Sequence, residues 1–168
     1  ICEIDRAVKF SGSVINAYGL VWASSGTGLF TSPNSNNPTY VVSADDVLQS
    51  AIVMTATSTG NGLCLPVSET VKLTFIPTPT VDAGPNRIYC DEIPLVDLAG
   101  KLTGTTDIEW ASNGDGNFTD PVNSRVNNFQ TTATDTLGYV LMTLSANING
   151  VGCYNYDQFI IGFEPAPS

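Results

Sequence analysis

The chain has 168 residues, of which 42% are hydrophobic and only 13% are charged, and it carries a formal net charge of −10. This composition supplies enough apolar side chain for a folded core and too little charge for a typical disordered segment. Only six residues are lysine or arginine, so binding to a phosphate backbone is excluded as a main function. Histidine is absent, which excludes Ser/His and Cys/His nucleophile pairs and histidine-containing zinc sites. We therefore expect neither enzyme activity nor a nucleic-acid partner.

The ends of the sequence resemble neither an initiator segment nor a membrane segment. No apolar run reaches 18 residues and no basic segment opens the chain, so we expect no membrane insertion and no signal peptide within it. The first residue is Ile1 and the last four read as an interrupted linker. We expect the sequence to lie inside a longer protein.

The sequence repeats itself after 88 residues. A period of this length suits a small self-contained domain and is too long for a solenoid unit. We therefore predict two domains, residues 1–79 and 80–168, joined near residues 76–80, where two prolines favour an extended, stiff linker. The matched positions include Cys2 and Cys90, Gly12 and Gly100, Trp22 and Trp110, Gly28 and Gly116, Phe30 and Phe118, Met54 and Met142, and, after a slip of one residue, Cys64 and Cys153.

Within the first repeat, apolar residues alternate along the chain, which is typical of strands. Strands are predicted at residues 8–14, around Leu20 and Trp22, at residues 52–56 and at residues 71–75. The exception is the segment SADDVLQSA at residues 43–51, where Ser43 and Asp46 predict one capped helical turn before a strand.

The second repeat follows the same order. Strands are predicted at residues 140–144 and 159–163, and TTATDTLG at residues 131–138 takes the place of the helical turn. Glycine-rich turns such as SSGTG and SNGDG interrupt both repeats every eight to twelve residues. About seven short strands per repeat are typical of an immunoglobulin-like sandwich. The predicted fold class is therefore all-β, two tandem immunoglobulin-like β-sandwich domains.

Four cysteines occur at matched positions, 62 residues apart in the first repeat and 63 in the second. Symmetry favours one disulfide inside each repeat, Cys2 to Cys64 and Cys90 to Cys153, each stabilising its domain by about 4 kcal/mol. Bridges crossing between the repeats, free buried thiols and metal binding are the alternatives, and spacing alone does not choose among them. Disulfides would indicate an oxidising compartment.

These motifs carry a resemblance to a known family. The string TVDAGPNRIYC at residues 80–90, then LVDLAGKLTG, a tryptophan, a glycine-rich turn ending in NFTDP, and NGVGC resemble the tandem Ig-like or PKD-like repeats of giant Bacteroidota surface adhesins, the SprB-type gliding-motility adhesins among them. The resemblance covers nearly the whole chain, although the first repeat has no DAGPN equivalent before Cys2. It implies a sandwich stalk on the bacterial cell surface, exported by type IX secretion through a signal lying elsewhere.

The two tryptophans have two interpretations. A tryptophan at the same strand position in both repeats matches the core residue of immunoglobulin domains, packed against the disulfide. We therefore predict that Trp22 and Trp110 are core residues. Exposed, they would instead form sugar-stacking platforms.

No cofactor is expected, and two segments are candidate calcium sites. Asn113, Asp115, Asn117 and Asp120 place oxygen ligands around glycines, as in the start of a calcium loop, although a glycine-bearing hairpin turn explains the same residues. Asp82, Asp91 and Glu92 form a second candidate set near the joint between the repeats.

Two further patterns involve acidic residues. Asp107 and Glu109 lie on one face of a predicted strand, but no cleft is implied for a glycosidase carboxylate pair. Asp135, Thr136 and Leu137 resemble the O-glycosylation signal of the same phylum, which would place a glycan on Thr136.

The predicted function is a non-catalytic stalk or spacer that transmits adhesion force in a long secreted surface adhesin of the gliding-motility type. Its expected partners are neighbouring repeats of the same chain, the substratum or surface polysaccharide, and the type IX secretion machinery. The alternative is a carbohydrate-binding module that uses Tyr154, Tyr156 or the asparagine-rich loops at residues 34–37 and 123–128.

Overall fold

A computed structural model describes residues 1–92, 95–122, 124–148 and 150–165 of the chain. Most of the linker predicted at residues 165–168, and Asn123 in one predicted loop, lie outside these described residues. The chain divides into two compact units, Ile1–Pro77 and Thr78–Ser168, so the observed boundary falls two residues before the predicted one.

Unit 1 forms two antiparallel three-stranded sheets, ordered β1-β4-β3 and β2-β5-β6. A short helix, α1, precedes the long strand β5. The elements of unit 1 are β1 (Ala7–Lys9), β2 (Gly19–Ser24), β3 (Leu29–Phe30), β4 (Thr39–Val41), α1 (Ala44–Leu48), β5 (Ala51–Thr59) and β6 (Ser68–Thr74).

Unit 2 contains a four-stranded sheet ordered β11-β14-β15-β8, a three-stranded sheet ordered β12-β13-β9 and a two-stranded pair β10-β7. A 3₁₀ turn, Asp135–Leu137, takes the place of the helix. The strands are β7 (Thr80–Asp82), β8 (Arg87–Cys90), β9 (Leu95–Ala99), β10 (Lys101–Thr103), β11 (Asp107–Ser112), β12 (Asn117–Phe118), β13 (Val126–Gln130), β14 (Tyr139–Ile148) and β15 (Cys153–Glu164).

The two units share one strand arrangement. The order β2-β5-β6 in unit 1 matches β11-β14-β15 in unit 2, and β1-β4-β3 matches β9-β13-β12. Even the parallel pairing near the start of each unit is in the same register, Cys2 opposite Ile76 and Cys90 opposite Glu164. These are the sheets of an immunoglobulin domain, one holding its second, fifth and fourth strands and the other its third, sixth and seventh. The chain is therefore a tandem of immunoglobulin-like β-sandwich units.

The number of strands differs from the prediction of about seven per repeat. Among the described residues, unit 1 has six strands and unit 2 has nine. The three additional strands of unit 2 are β7, its partner β10, and β8, whose equivalent in unit 1 is the single bridge Cys2–Ile76. The early strand predicted at residues 8–14 is correspondingly short, because β1 ends at Lys9 and residues 13–15 lie in no strand.

Each unit buries its own core between its sheets. The predicted alternation is clearest in β14, where Val140, Met142 and Leu144 are all at most 1% exposed. In unit 1 Ile52 and Met54 occupy the same places, but Val71 on β6 is 47% exposed although alternation predicted it to face the core. The core of unit 1 is therefore thinner at this end of the sandwich.

Candidate functional site

A buried carboxylate lies where each unit passes from one sheet to the other. In unit 1 it belongs to Asp46, whose side chain is fully buried. The local sequence places it there: Ser43 caps α1, its hydroxyl accepting a hydrogen bond from the Asp46 N–H at 3.1 Å, and the Ser43 N–H donates to Asp46 Oδ2 at 3.0 Å. This is the reciprocal capping box that the sequence predicted.

The same carboxylate also holds segments distant in sequence. Asp46 Oδ1 accepts a hydrogen bond from the Thr27 N–H at 2.6 Å, and Oδ2 accepts from the Gly28 N–H at 3.1 Å. The hydroxyl of Tyr40 on β4 donates to Oδ2 at 2.9 Å and accepts from Ser24 Oγ at 3.0 Å. One side chain thus ties the turn between β2 and β3 to α1 and β4.

These contacts set the ionisation of Asp46 and Tyr40. Burial raises the pKa of Asp46, but hydrogen bonds from the backbone of Ser43 and Thr27 and from the Tyr40 hydroxyl outweigh it, so its pKa lies below the ordinary value. Burial is also the main cause of the raised pKa of Tyr40. Tyr40 therefore stays a protonated donor beside a charged acceptor.

Unit 2 repeats the arrangement with Asp135, which is 5% exposed. Its Oδ1 accepts a hydrogen bond from the Asp115 N–H at 2.8 Å and its Oδ2 from the Thr132 N–H at 2.9 Å. Phe129 stands where unit 1 has Tyr40, so one hydroxyl donor is missing.

The sequence predicted the cap at Asp46 but not its role between the sheets. A pair of glycines in each turn is the sequence pattern that could have indicated this role of the buried aspartate. A Cβ added to Gly26 would lie 2.2 Å from Asp46 Oδ1, and one added to Gly114 would lie 2.5 Å from Asp135 Oδ1. The glycines therefore leave room for the carboxylates, and the role of this site is architectural.

Both tryptophans lie in the hydrophobic cores, Trp22 at 8% and Trp110 at 1% exposure. Trp110 packs edge-on against Phe159, with ring centroids 6.4 Å apart, and its Nε1 donates to the Ser124 carbonyl at 3.0 Å. The Nε1 of Trp22 is buried without a hydrogen-bond partner among the described residues. Both indoles are buried, so neither is an exposed stacking platform for a sugar ring.

The predicted disulfides within each repeat are wrong. Cys2 and Cys153 are disulfide-bonded, whereas Cys64 and Cys90 are free and exposed thiols. Neither Cys2–Cys64 nor Cys90–Cys153 therefore exists, and no disulfide within a unit packs against its tryptophan. The physical reason is that Cys64 lies in an exposed loop after β5 and Cys90 at the exposed end of β8, while their predicted partners are buried.

The first candidate calcium segment forms a turn between sheets. The Asn113 Oδ1 accepts from the Leu141 N–H at 2.7 Å, and the Asp115 N–H is bonded to Asp135. The alternative of a hairpin turn is wrong, because β11 and β12 pair with strands of different sheets. Asn117 and Asp120 are exposed, and Asp120 exchanges backbone hydrogen bonds with the buried side chain of Asn127.

The second candidate calcium set is dispersed as well. Asp82 lies 3.5 Å from the Lys101 ammonium and accepts a hydrogen bond from the Gly84 N–H at 3.0 Å. Asp91 and Glu92 are exposed beside a shallow depression near the 3₁₀ turn. Within the described part of the chain, no group of three or more histidine, cysteine, aspartate or glutamate side chains is placed to hold a metal ion.

One exposed face of unit 2 collects aromatic and polar side chains. Tyr154 and Tyr156 on β15 are about half exposed, with ring centroids 5.8 Å apart and planes 34° from parallel. Asp107 and Glu109 lie on the same side of β11, as their spacing predicted, and border a shallow depression of about 150 Å³ together with Tyr154. Among the described residues of unit 2, this face is the best candidate for a ligand-binding surface.

The remaining predicted positions serve turns and loops. Thr136 is partly exposed in the 3₁₀ turn, where its hydroxyl donates to the Ala133 carbonyl at 3.0 Å. Glycosylation of Thr136 stays a prediction. In the first asparagine-rich segment, the Asn36 carbonyl accepts a hydrogen bond from the Gly12 N–H at 2.7 Å. The loop predicted at residues 123–128 is wrong in its second half, because Asn127 and Asn128 lie in strand β13, where Asn128 bonds to Asp97.

Comparison with known proteins gives a fold-level likeness only. No family model and no curated protein sequence matches the chain. Similar solved structures include mouse cadherin-23 EC22-24 (TM-score 0.36, 10% identity, 90% of this chain and 56% of that one) and the titin I-band fragment I67-I69 (0.41, 14%, 84% and 53%). Drosophila N-cadherin EC1-3 is another (0.42, 12%, 88% and 56%). The chain spans little more than half the length of these three structures. No described helix is long and apolar enough to span a membrane.

Proposed function

We propose that the chain is a non-catalytic spacer segment of a long cell-surface adhesin, in which repeats of this kind hold a distal adhesive region away from the cell. The observation that carries this proposal is the repetition of one strand arrangement at a fixed offset of 88 residues. In both copies the matched tryptophans, glycines and buried aspartates contribute to packing and hydrogen bonding inside the unit. The two units share their internal packing but not a set of surface residues, as expected for a segment with a mechanical role.

The strand order also suits a load-bearing element. In unit 2 the early strand β8 runs parallel to the final strand β15, with four residue pairs from Arg87 opposite Ile161 to Cys90 opposite Glu164. A pull on the two ends of the unit shears such a pair, so its hydrogen bonds resist together. Unit 1 has the same pairing reduced to a single bridge, Cys2 opposite Ile76. We expect unit 2 to be mechanically stronger than unit 1.

The finer parts of the proposal rest on the sequence resemblance. They are a gliding-motility role, display on the bacterial cell surface after type IX secretion, and force transmission to the substratum through neighbouring repeats. The disulfide-bonded cysteines are compatible with an oxidising, extracellular location.

Single-molecule pulling on the intact pair, with the disulfide reduced, tests the spacer role. We expect two separate unfolding events that release up to about 270 Å for residues 1–77 and about 320 Å for residues 78–168, at about 3.5 Å per residue. The shorter event should occur at the lower force. Gradual extension at low force without discrete events would contradict a load-bearing role.

The tyrosine pair on the exposed face of unit 2 favours a second candidate function, binding to polysaccharide. Pull-down with insoluble polysaccharides tests it. If this function holds, the double variant Tyr154→Ala and Tyr156→Ala abolishes retention, while the control Tyr139→Ala, at a tyrosine that is more exposed than either, retains it. Equal retention of both variants would contradict a tyrosine platform.

A further inference from the structure

Unit 1 has an open apolar groove at the end of its sandwich. Its volume is about 410 Å³, and the buried Trp22 forms part of its floor. A second depression of about 380 Å³ adjoins it and shares Ser13, Val14, Ser58 and Val67 with it. The side chains that line the first groove include Phe10, Val14, Leu20, Ala56, Val67 and Val71.

The equivalent space in unit 2 is filled by larger side chains. Leu144 stands where unit 1 has Ala56, and Phe159 stands where unit 1 has Val71. Both are buried in unit 2, at 0% and 2% exposure, whereas Val71 is 47% exposed. Part of the groove therefore exists because unit 1 carries smaller residues at these two positions.

The rest of the equivalent space in unit 2 is covered by strand β7. This strand pairs antiparallel with β10, with Val81 opposite Leu102, and Val81 packs against the core. Ala83, directly after the strand, is fully buried, and its N–H donates to Asp157 Oδ2 at 2.8 Å. Unit 2 thus closes its sandwich with a segment of sequence T-V-D-A that precedes its first matched cysteine by several residues.

Unit 1 retains the receiving side of this interaction. Residues 13–15 correspond to β10 but lie in no strand, and Ile15 is 85% exposed. Val14 lies at the position of Leu102 and lines the groove. Glu69 corresponds to Asp157, lines the same groove and is exposed, so a carboxylate stands where an incoming N–H would need an acceptor.

We propose that this groove binds an extended peptide strand of the T-V-D-A type, supplied in the longer protein by the linker of a preceding repeat. The strand lies antiparallel to residues 13–15, places its apolar side chain opposite Val14, and donates a following backbone N–H to Glu69. Binding would form a two-stranded pair like that of β7 with β10, in which backbone hydrogen bonds give affinity and the groove selects the side chain. The inference rests on the proposed function, because it assumes a chain of similar repeats.

The test adds the nine residues TVDAGPNRI in front of Ile1, the same spacing from Cys2 that residues 80–88 have from Cys90. We expect the unfolding midpoint of unit 1 to rise by about 5–10 °C, since 1 kcal/mol shifts a domain of this size by about 4–8 °C. Hydrogen exchange at residues 14 and 15 should slow at least tenfold. A control prefix with aspartate in the place of valine should produce neither change.

An unchanged midpoint and unchanged exchange at residues 13–15 with the TVDAGPNRI prefix would overturn the proposal, as would an equal effect of the aspartate control. The pulling experiment on the pair without a prefix is independent of this result. A groove that fails to bind the strand in a pair that still unfolds in two force-resistant events would refute this inference and leave the spacer role standing.

Discussion

Replacing Asp46 by asparagine is the sharpest test of the buried carboxylate. The substitution keeps the shape of the side chain and removes its charge and one of its two acceptor oxygens. Oδ1 faces the Thr27 N–H, and Oδ2 faces the Gly28 N–H, the Ser43 N–H and the Tyr40 hydroxyl. Whichever oxygen becomes an amide nitrogen, at least one backbone donor then faces another donor.

The expected loss of stability follows from these contacts. A hydrogen bond to a charged acceptor contributes about 1.5–3 kcal/mol, and a buried donor left without an acceptor costs about 1–3 kcal/mol. The least costly orientation of the amide keeps the three Oδ2 contacts and loses Thr27 alone. We therefore expect Asp46→Asn to lower the free energy of unfolding of unit 1 by about 2–4 kcal/mol, and its midpoint by at least about 8 °C.

The effect should also depend on pH. Because the pKa of Asp46 is lower in the folded unit than in the unfolded chain, its contribution is fully present above the unfolded pKa of about 3.9. It is lost as the pH falls from there through the folded pKa. The stability difference between wild type and Asp46→Asn should therefore be constant near pH 6–7 and shrink below about pH 4.

The assay is chemical or thermal unfolding of the intact pair at several pH values, with the unfolding of unit 1 followed through Trp22 fluorescence in a Trp110→Phe background. The matched control is Asp45→Asn, which removes the same charge from an exposed neighbour in α1. A loss below about 1 kcal/mol for Asp46→Asn, or an equal loss for both variants, would refute the role assigned to this carboxylate.

Three further experiments test the core of unit 2, its glycine turn and the cysteines. Leu144→Ala should destabilise unit 2 by about 2–5 kcal/mol, because the side chain is fully buried, while exposed Leu137→Ala should have little effect in the same unfolding assay. Gly116→Ala should lower the midpoint of unit 2, because its Cβ would lie 2.2 Å from a strand carbonyl oxygen, whereas Gly138→Ala meets nothing within 4 Å; equal midpoints would contradict this. Intact-mass analysis should show two alkylated thiols before reduction and four after it, and no alkylation before reduction would contradict the cysteine assignment.

Periodicity predicted the fold because it reports directly on sheets. Alternation at Val140, Met142 and Leu144 reflects strands with one buried face, and the offset of 88 residues carries that pattern into unit 1. The alternation of apolar residues along a strand does not show how much of its apolar face other residues cover. It therefore assigned Val71 to the interior, although the strand that covers the equivalent position in unit 2 has no counterpart among the described residues of unit 1.

The cysteine pairing and the buried carboxylates could not be predicted for a different reason. Both depend on contacts between residues far apart in sequence, such as the 19-residue separation of Thr27 and Asp46. Matched cysteines show that the repeats are related, but they do not determine which of the three other cysteines each one bonds to. The capping motif at Ser43 could be predicted from the sequence because its two partners, Ser43 and Asp46, are three residues apart.

Hydrogen exchange on the intact pair shows whether the two units are copies of one sandwich. We predict two protected regions at matched positions, β5 with β6 in unit 1 and β14 with β15 in unit 2, and rapid exchange at residues 13–15. Strong protection in one half only, or protection at positions unrelated by the offset of 88 residues, would contradict it.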